Sequence, residues 1–485
     1  MDGADGINAP TATSSTAAPT AGPSVGGSPV GGWTHRASHG VPAARPTARL
    51  RGMPDLRAPR GTRDLLPSER AVLGHLERVT RDLAGRYGYR EMETPLFEQV
   101  SVFERGIGEV TDVVEKELFR LAPRTDEGDI YALRPEATAG IVRAYLQHGL
   151  QTLPQPVKVS LLGPMFRHDR PQAGRYRQFW QWDIEAIGDP GPALDAEIVE
   201  LGARFYRDAG LEDVEILLNS IGDPACRPAY IEALRAHFRP RADRLPPVER
   251  ARLETNPLRL LDSKDPRMTE LNASAPSIVD HLCAECATHF EAVRAHLDEL
   301  GIAYRLDIRL VRGLDYYTRT TFEFYRRGES GQQQALGGGG RYDGLVQLLG
   351  GKPTPGIGFA LGLDRVMLAL DQAGTAPAEG GEPLAVVVGA DPAATALRLR
   401  IATGLRADGL AARADLGVRK LGRQLEGAAR DGAHFAVIVG DELASGDVQL
   451  RDLEAGTQRT VRLDDLAREL RRAAASHHHG TPERG

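Results

Sequence analysis

The stretch Gly163-Pro164-Met165-Phe166-Arg167-His168-Asp169-Arg170-Pro171-Gln172-Ala173-Gly174-Arg175-Tyr176-Arg177-Gln178-Phe179-Trp180-Gln181-Trp182-Asp183-Ile184-Glu185 is the part of the chain richest in groups able to do chemistry. Proline and glycine in its middle predict a long hairpin loop carrying Arg167, Arg170, Arg175 and Arg177. Guanidinium forks match phosphate oxygens. On the return strand, the two-residue period sets Phe179, Gln181, Asp183 and Glu185 on one face and Trp180, Trp182 and Ile184 on the other, which must be core. An aromatic ring, an amide and two carboxylates beside arginines suit a small cationic or amino ligand held next to an anion. A solvated sheet face beside a charged hairpin would carry the same residues, so this stretch alone leaves both readings open.

Four further segments add to it. Arg134-Pro135-Glu136-Ala137-Thr138 precedes a helical run (Ile141, Val142, Tyr145, Leu146) and offers a carboxylate and a hydroxyl, although an acid there also simply stabilises a helix N-terminus. Leu310-Val311-Arg312-Gly313-Leu314-Asp315-Tyr316-Tyr317-Thr318 sets one arginine at a glycine turn before paired tyrosines, which serve cores more often than ligands. Gly337-Gly338-Gly339-Gly340-Arg341-Tyr342-Asp343-Gly344 lacks the Gly-Lys-Ser/Thr ending of a phosphate-cradling P-loop; a flexible hairpin or backbone laid against a ligand remain. Gly356-Ile357-Gly358-Phe359-Ala360-Leu361-Gly362 spaces its glycines one residue too widely for a dinucleotide fingerprint and leaves a glycine-lined strand delivering Arg365 into the next helix. Cys283-Ala284-Glu285-Cys286, near His281 and His289, has half the spacing of a zinc site, but the second pair is missing and Cys226 is the only other thiol, so no metal ligand is assigned.

The elements that must position these residues follow from periodicity. Leu73, Leu76, Val79, Leu83 and Tyr87 recur at helical steps after Gly61, and mixed strands and helices continue to about residue 210. Residues 226 to 300 read as mainly helical, and Arg305 to Leu370 return to strand and glycine-turn character, so the helical piece is expected as an insertion into a larger sheet domain. Residues 374 to 383 form a linker, after which buried-strand runs at Leu384–Gly389 and Ala433–Gly440 alternate with helices as in a compact α/β domain.

Composition sets the limits. The 485 residues suggest roughly three domains. Sixty Lys+Arg against 66 Asp+Glu, a net charge of −6, argues against a surface that is a nucleic-acid glove throughout. Three cysteines cannot build a disulfide framework and no apolar run reaches bilayer length, so the chain reads as cytoplasmic, with no membrane partner. Residues 1–58, rich in Ala, Gly, Pro, Ser and Thr, are expected as a disordered tail; Asp2, Asp5 and the lack of amphipathic periodicity disfavour a transit peptide. Residues 473–485, with Ser476-His477-His478-His479, are read as a second tail whose histidines are incidental.

Taken together these segments resemble the class II aminoacyl-tRNA synthetases, and in particular the histidyl-tRNA synthetase family, from about Arg60 to Arg472. Gly163–Glu185 resembles the second class motif, Gly356–Arg365 the third, and Tyr89–Glu98 takes the place of the degenerate first; Leu310–Thr318 and Gly337–Leu345 resemble the two histidyl signatures. The resemblance implies an α+β fold: an antiparallel-sheet catalytic domain over residues 59–373 with a helical insertion at about 226–300, a linker at 374–383, and an α/β anticodon-binding domain at 384–472. It implies a homodimer acting on ATP, L-histidine and tRNA(His), with Mg²⁺ accompanying ATP. Arg167 would hold the α-phosphate, Phe179 would stack on adenine, and Arg175 and Arg365 would grip the outer phosphates. Glu136, Thr138 and Gln181 would hold the histidine amino group, Glu185 and Tyr317 its imidazole, with Tyr316 in the same pocket, and Arg312 would bridge substrate carboxylate and α-phosphate. Arg312 and Arg167 are thus the catalytic pair expected.

The chain departs from the family pattern at Trp180, where a histidine is usual, at Trp182-Asp183, at Ala137, where glycine is usual, and at Ala173 in the loop expected to reach the tRNA acceptor stem. A related noncatalytic class, the regulatory subunit of ATP phosphoribosyltransferase, shares the catalytic fold but typically lacks the anticodon domain and loses ATP-gripping arginines. Residues 384–472 and Arg167, Arg175, Arg312 and Arg365 favour the enzyme.

Overall fold

The structure, a computed structural model, describes residues 56–108, 111, 113–122, 130–261, 263, 265–310, 316–328, 335–377, 384–417 and 419–478. The expected N-terminal tail up to residue 55, linker residues 378–383 and Arg312 lie outside the described residues.

Among the described residues the strands are β1 (Arg90–Glu91), β2 (Phe97–Gln99), β3 (Tyr131–Leu133), β4 (Val157–Phe166), β5 (Gln178–Ile187), β6 (Val214–Ser220), β7 (Arg305–Leu306), β8 (Thr318–Arg326), β9 (Gly337–Arg341), β10 (Gly356–Gly362), β11 (Ala385–Val388), β12 (Ala412–Ala414), β13 (Phe435–Ile438), β14 (Asp447–Asp452) and β15 (Gln458–Arg462). Eight of them form one sheet in the order β1-β4-β5-β10-β9-β8-β6-β7. Its interior pairings are antiparallel, and only the edge strands β1 and β7 pair in parallel. The hairpin expected from Gly163 to Glu185 is β4–β5, with Leu161 facing Asp183 and Gly163 facing Gln181.

Alternation along β5 works as the sequence requires. Trp182 and Ile184 are fully buried against helices Pro67–Arg86, Pro192–Ala209 and Leu363–Ala373, and Trp182 Nε1 donates to Ser160 Oγ at 2.9 Å, so its one polar atom is satisfied. The opposite sheet face packs Val159, Leu161, Met165 and Ile187 beneath helices Val100–Ile107 and Thr138–Gln147. The sheet thus has a core on each side, and the face carrying Gln181 and Glu185 is covered rather than solvated.

Between β6 and β7 come helices Arg227–Phe238, Pro247–Thr255, Pro266–Ala273 and Ala284–Glu299. The first three enclose their own core around Leu234, Phe238, Leu253 and Met268. The fourth differs from the expected inserted unit, because its Phe290, Val293 and Leu297 pack into the main sheet's core. After Gly374, in the left-handed conformation that ends helix Leu363–Ala373, a second sheet runs β12-β11-β13-β14-β15 with its own apolar cores on both faces. Fully buried Arg398 braces it by donating to the carbonyls of Gly389, Asp391 and Asp415. The last helix, Leu466–His478, runs past residue 473, where a tail was expected, because Ala473 and Ala474 pack on this core. No helix among the described residues is long and apolar enough to cross a membrane.

Candidate functional site

A cleft of about 440 Å³ opens over β5, β9 and β10. It is lined by Glu136, Thr138, Gln181, Glu185, Tyr316 and Tyr317, and also by Arg167, Arg175, Phe179 and Arg365. Of the candidate catalytic and binding residues expected from the sequence, Arg312 alone lies outside the described residues.

The acidic set is built by β5 and the start of helix Thr138–Gln147. Glu136 Oε2 and Oε1 accept the backbone N–H groups of Thr138 (2.7 Å) and Ala139 (3.0 Å), so this acid both stabilises the helix start and lines the cleft. Glu185 Oε1 accepts the Thr138 hydroxyl at 2.6 Å, and its Oε2 accepts the Tyr342 hydroxyl at 2.5 Å. Burial, reinforced by Glu136 and opposed by those two hydrogen bonds, pushes the Glu185 carboxyl up to about 8. Burial likewise raises Glu136 against its hydrogen bonds. Asp183 is fully buried beside them; burial, Glu185 and Glu136 push it well above the carboxylate range, and among the described residues neither of its oxygens has a hydrogen-bond partner. Gln181 Oε1 is also buried without a partner, leaving an acceptor directed at whatever enters the cleft. Tyr316 and Tyr317 pack with ring centroids 4.7 Å apart and planes tilted by 48°, and form part of the wall.

Glycine leaves room for the Glu185 carboxylate at the cleft. A Cβ at Gly358, on β10 opposite Glu185, would strike the Glu185 carboxylate and the Ile184 carbonyl. The glycine-rich strands are therefore close-packed backbone, not flexible hairpin.

The cationic set converges from the β4–β5 loop and the helix after β10. Arg167 Nε donates to the Pro135 carbonyl at 2.8 Å, which fixes its guanidinium 5.4 Å from the centre of the Phe179 ring. Arg175 pairs with Asp169, and Gly174, left-handed at the loop tip, passes close to Arg365. Asp364 accepts the Trp180 N–H at 2.7 Å and an Arg63 N–H at 2.6 Å, anchoring the helix start that carries Arg365. Burial, then Arg175 and Arg167, lower the Arg365 guanidinium, so three cations sit close enough to repel one another. Such a cluster favours a polyanion, which removes the repulsion as it binds.

The sequence reading missed Tyr342, Glu323, Glu117 and Arg259, all of which line the cleft. Tyr342 was visible one residue after β9, but the glycine run drew attention to backbone alone. Arg259 sits in a short turn of the helical insertion, where no local pattern marks it.

An antiparallel, glycine-lined sheet that holds buried acids beside an arginine cluster, followed by a separate α/β sheet, defines a class II aminoacyl-tRNA synthetase. Family models agree: "Histidyl-tRNA synthetase" matches residues 61–366 and "Anticodon binding domain" matches residues 383–473. The histidine–tRNA ligase of Moorella thermoacetica is 50% identical over 84% of this chain and 95% of its own length. That of Desulforudis audaxviator is 49% identical over 86% and 98%. The apo histidyl-tRNA synthetase of S. aureus superposes with a TM-score of 0.72 at 35% identity, covering 86% of this chain and 99% of that one. The chain belongs to the histidyl-tRNA synthetase family, and it is an enzyme, a histidine–tRNA ligase with ATP as substrate.

Proposed function

We propose that the cleft binds ATP and L-histidine side by side, joins them as histidyl-adenylate and passes the histidyl group to the 3′ end of tRNA(His). The observation that carries this reading is that one cleft brings together the buried acidic set and the arginine cluster. Phe179 stacks on adenine, Arg167 holds the α-phosphate, and Arg175 and Arg365 grip the outer phosphates. Glu136, Thr138 and Gln181 hold the substrate amino group; Glu185, supported by Tyr317 with Tyr316 behind it, engages the imidazole. A carboxyl and a phenol can meet both ring nitrogens, a pair of groups that no other side chain presents in that arrangement. Arg312, assigned by its sequence motif, bridges the substrate carboxylate and the α-phosphate. A carboxylate oxygen of histidine attacks the α-phosphorus, the bond to the bridging oxygen breaks and pyrophosphate leaves. The terminal ribose hydroxyl of the tRNA then attacks the activated carbonyl, AMP departs, and the hydroxyl proton is lost. The chain's contribution is positioning and charge neutralisation.

Mg²⁺ would accompany the triphosphate and help neutralise it, and Glu323, buried on the cleft wall where it accepts the Tyr325 hydroxyl, is one of the lining carboxylates that would hold it. We further propose a catalytic domain over residues 59–373, an anticodon-binding domain over 384–472, a cytoplasmic location and a homodimer. The dimer is supported by an exposed apolar edge at β2–β3, where Phe97 and Tyr131 pack edge to face beside Leu96 and Ile130.

Amino-acid-dependent ATP–pyrophosphate exchange, run separately with each of the twenty amino acids, tests this. Exchange with histidine alone, abolished by Arg312→Ala in a folded chain, is expected. Histidine binding without exchange would refute it in favour of a regulatory binding protein.

A further inference from the structure

Asp223, Cys226, Cys283 and Cys286 come together where the helical insertion leaves the sheet and where it returns, 57 residues apart between Cys226 and Cys283. One ligand atom from each, a carboxylate oxygen and three sulfurs, lies within 4.8 Å of every other. We propose that these four residues form a structural site for one Zn²⁺ ion, separate from the cleft.

The donor set argues for the ion. Zinc with thiolates at about 2.3 Å in a tetrahedron needs sulfurs about 3.8 Å apart, so the four atoms have only to close inward by a fraction of an ångström to a little over one. Three thiolates select a soft or borderline cation and disfavour Mg²⁺ or Ca²⁺, and so tight a group has no room for an iron–sulfur cluster. The site has two halves of the same form. Asp223-x₂-Cys226 leads into helix Arg227–Phe238, with Cys226 preceding its first turn, and Cys283-x₂-Cys286 opens helix Ala284–Glu299. The sequence pattern shows only the second half, because a carboxylate stands where a second cysteine pair would be sought.

The surroundings are already organised for it. The Cys283 N–H donates to Cys226 Sγ at 3.1 Å, and the Cys226 thiol donates to Asp223 Oδ1 at 3.3 Å. Asp223 Oδ2 faces Arg319 at 3.7 Å, so one carboxylate oxygen can ligate while the other keeps its guanidinium partner. Gly222, left-handed with φ +62°, turns the chain tightly against Cys226. The nearby histidines are engaged elsewhere: His289 with Asp195 at 2.9 Å and His281 against the Tyr230 ring.

The ion would brace the cleft as well as the insertion. The loop that holds Asp223 is hydrogen-bonded to the strand start beside the paired tyrosines: Ile221 N–H to the Arg319 carbonyl at 2.8 Å, Arg319 N–H to the Gly222 carbonyl at 2.7 Å, and the Arg227 guanidinium to the Tyr317 carbonyl. Arg319 is the one non-glycine residue with positive φ among the described residues, at 51°, so the neighbouring fold has to hold it there.

The test uses the full chain, purified without metal-affinity resin, in parent form and with His477, His478 and His479 all replaced by alanine to remove binding at the tail. Elemental analysis after dialysis should give one zinc per chain in both. Replacing zinc by Co²⁺ should produce the thiolate-to-cobalt charge-transfer absorption and the intense visible bands of a tetrahedral sulfur site. Cys286→Ser should abolish both signals. If that variant does not fold, Asp223→Asn serves instead, with zinc retention weakened at least about tenfold. Stripping zinc should raise KM for histidine more than it lowers kcat. Three outcomes would each overturn the proposal: less than stoichiometric zinc with no cobalt charge transfer, zinc that disappears with the tail histidines, or a disulfide among the three cysteines in freshly purified protein. Metal content and cobalt spectra do not depend on the ligase reading, so either can fail alone.

Discussion

The Glu185 carboxyl couples the cleft to the stability of the ligand-free fold, and its replacement by glutamine isolates that coupling. Burial lifts this carboxyl from 4.5 to about 8, so the folded chain holds the proton more tightly than the unfolded chain does. The stabilisation is complete below the unfolded value and is lost as pH rises through the folded one. At 1.36 kcal/mol per pH unit, the interval from 4.5 to about 8 is worth roughly 5 kcal/mol, comparable with the net stability of a domain. Glu185→Gln keeps the shape, can still accept from one hydroxyl of Thr138 or Tyr342 while donating to the other, and does not titrate. Melting curves followed by tryptophan fluorescence suit the comparison, because Trp180 and Trp182, two of the three tryptophans, lie on β5 beside Glu185. Wild type and variant should melt close together at about pH 5 and diverge by up to roughly 10 °C in the variant's favour by about pH 9. Saturating L-histidine should lift the wild-type curve at the alkaline end and leave the variant nearly unmoved. Parallel curves over the whole range would refute the claim that this carboxyl is buried without a charge partner.

Gly358→Ala places a methyl group against the Glu185 carboxylate and the Ile184 carbonyl, so it should cost about 1–3 kcal/mol in overpacking and displace the carboxyl proposed to meet the imidazole. Histidine-dependent exchange should fall far more than ATP binding, and an unchanged KM for histidine would contradict the geometry. Arg341→Met leaves fully buried Asp195 with His289 alone in place of the Arg341 fork at 2.5 and 3.1 Å, and should cost up to about 3–5 kcal/mol in urea unfolding. Adding Asp195→Leu should recover much of that loss, and strict additivity of the two changes would count against the pairing. Removing residues 384–485 should leave histidyl-adenylate formation intact and impair tRNA charging; equal charging by the shortened chain would refute the anticodon assignment.

What the sequence made legible is what period and residue type determine locally. The faces of β5 follow from a two-residue period, and the tryptophans that depart from the family pattern fall on the core side, where Trp182 packs against Phe205 and Phe359. The arginine cluster was legible because the hairpin loop and the helix start after β10 announce themselves by Gly and Pro. What stayed hidden depends on chain crossing. Tyr342 meets Glu185 across β9 and β10, Arg259 reaches the cleft from the insertion, and Asp223 meets Cys283 only when the insertion closes on itself. The packing of that insertion's last helix stays hidden for the same reason: its sequence is helical, and the partner that buries Phe290 and Val293 is the main sheet's core.

The three buried acids explain how a cleft can choose its ligand before any bond is made. Burial holds Glu136, Asp183 and Glu185 toward their protonated forms, Glu136 adds to this at both Asp183 and Glu185, and Arg134, which interacts with Asp183, is itself lowered by desolvation. Ionising them in the empty cleft costs free energy that water cannot return. On the proposed roles, a ligand that brings an ammonium group and an imidazole supplies charge partners at two of these sites together, and protons leave as it binds. An amino acid with an aliphatic side chain then brings the ammonium group alone and leaves Glu185 with its two hydroxyl donors but no charge partner. Under that proposal discrimination rests on the buried charge that a wrong side chain leaves uncompensated rather than on the size of the pocket, and polar recognition of this kind separates ligands more sharply than shape does.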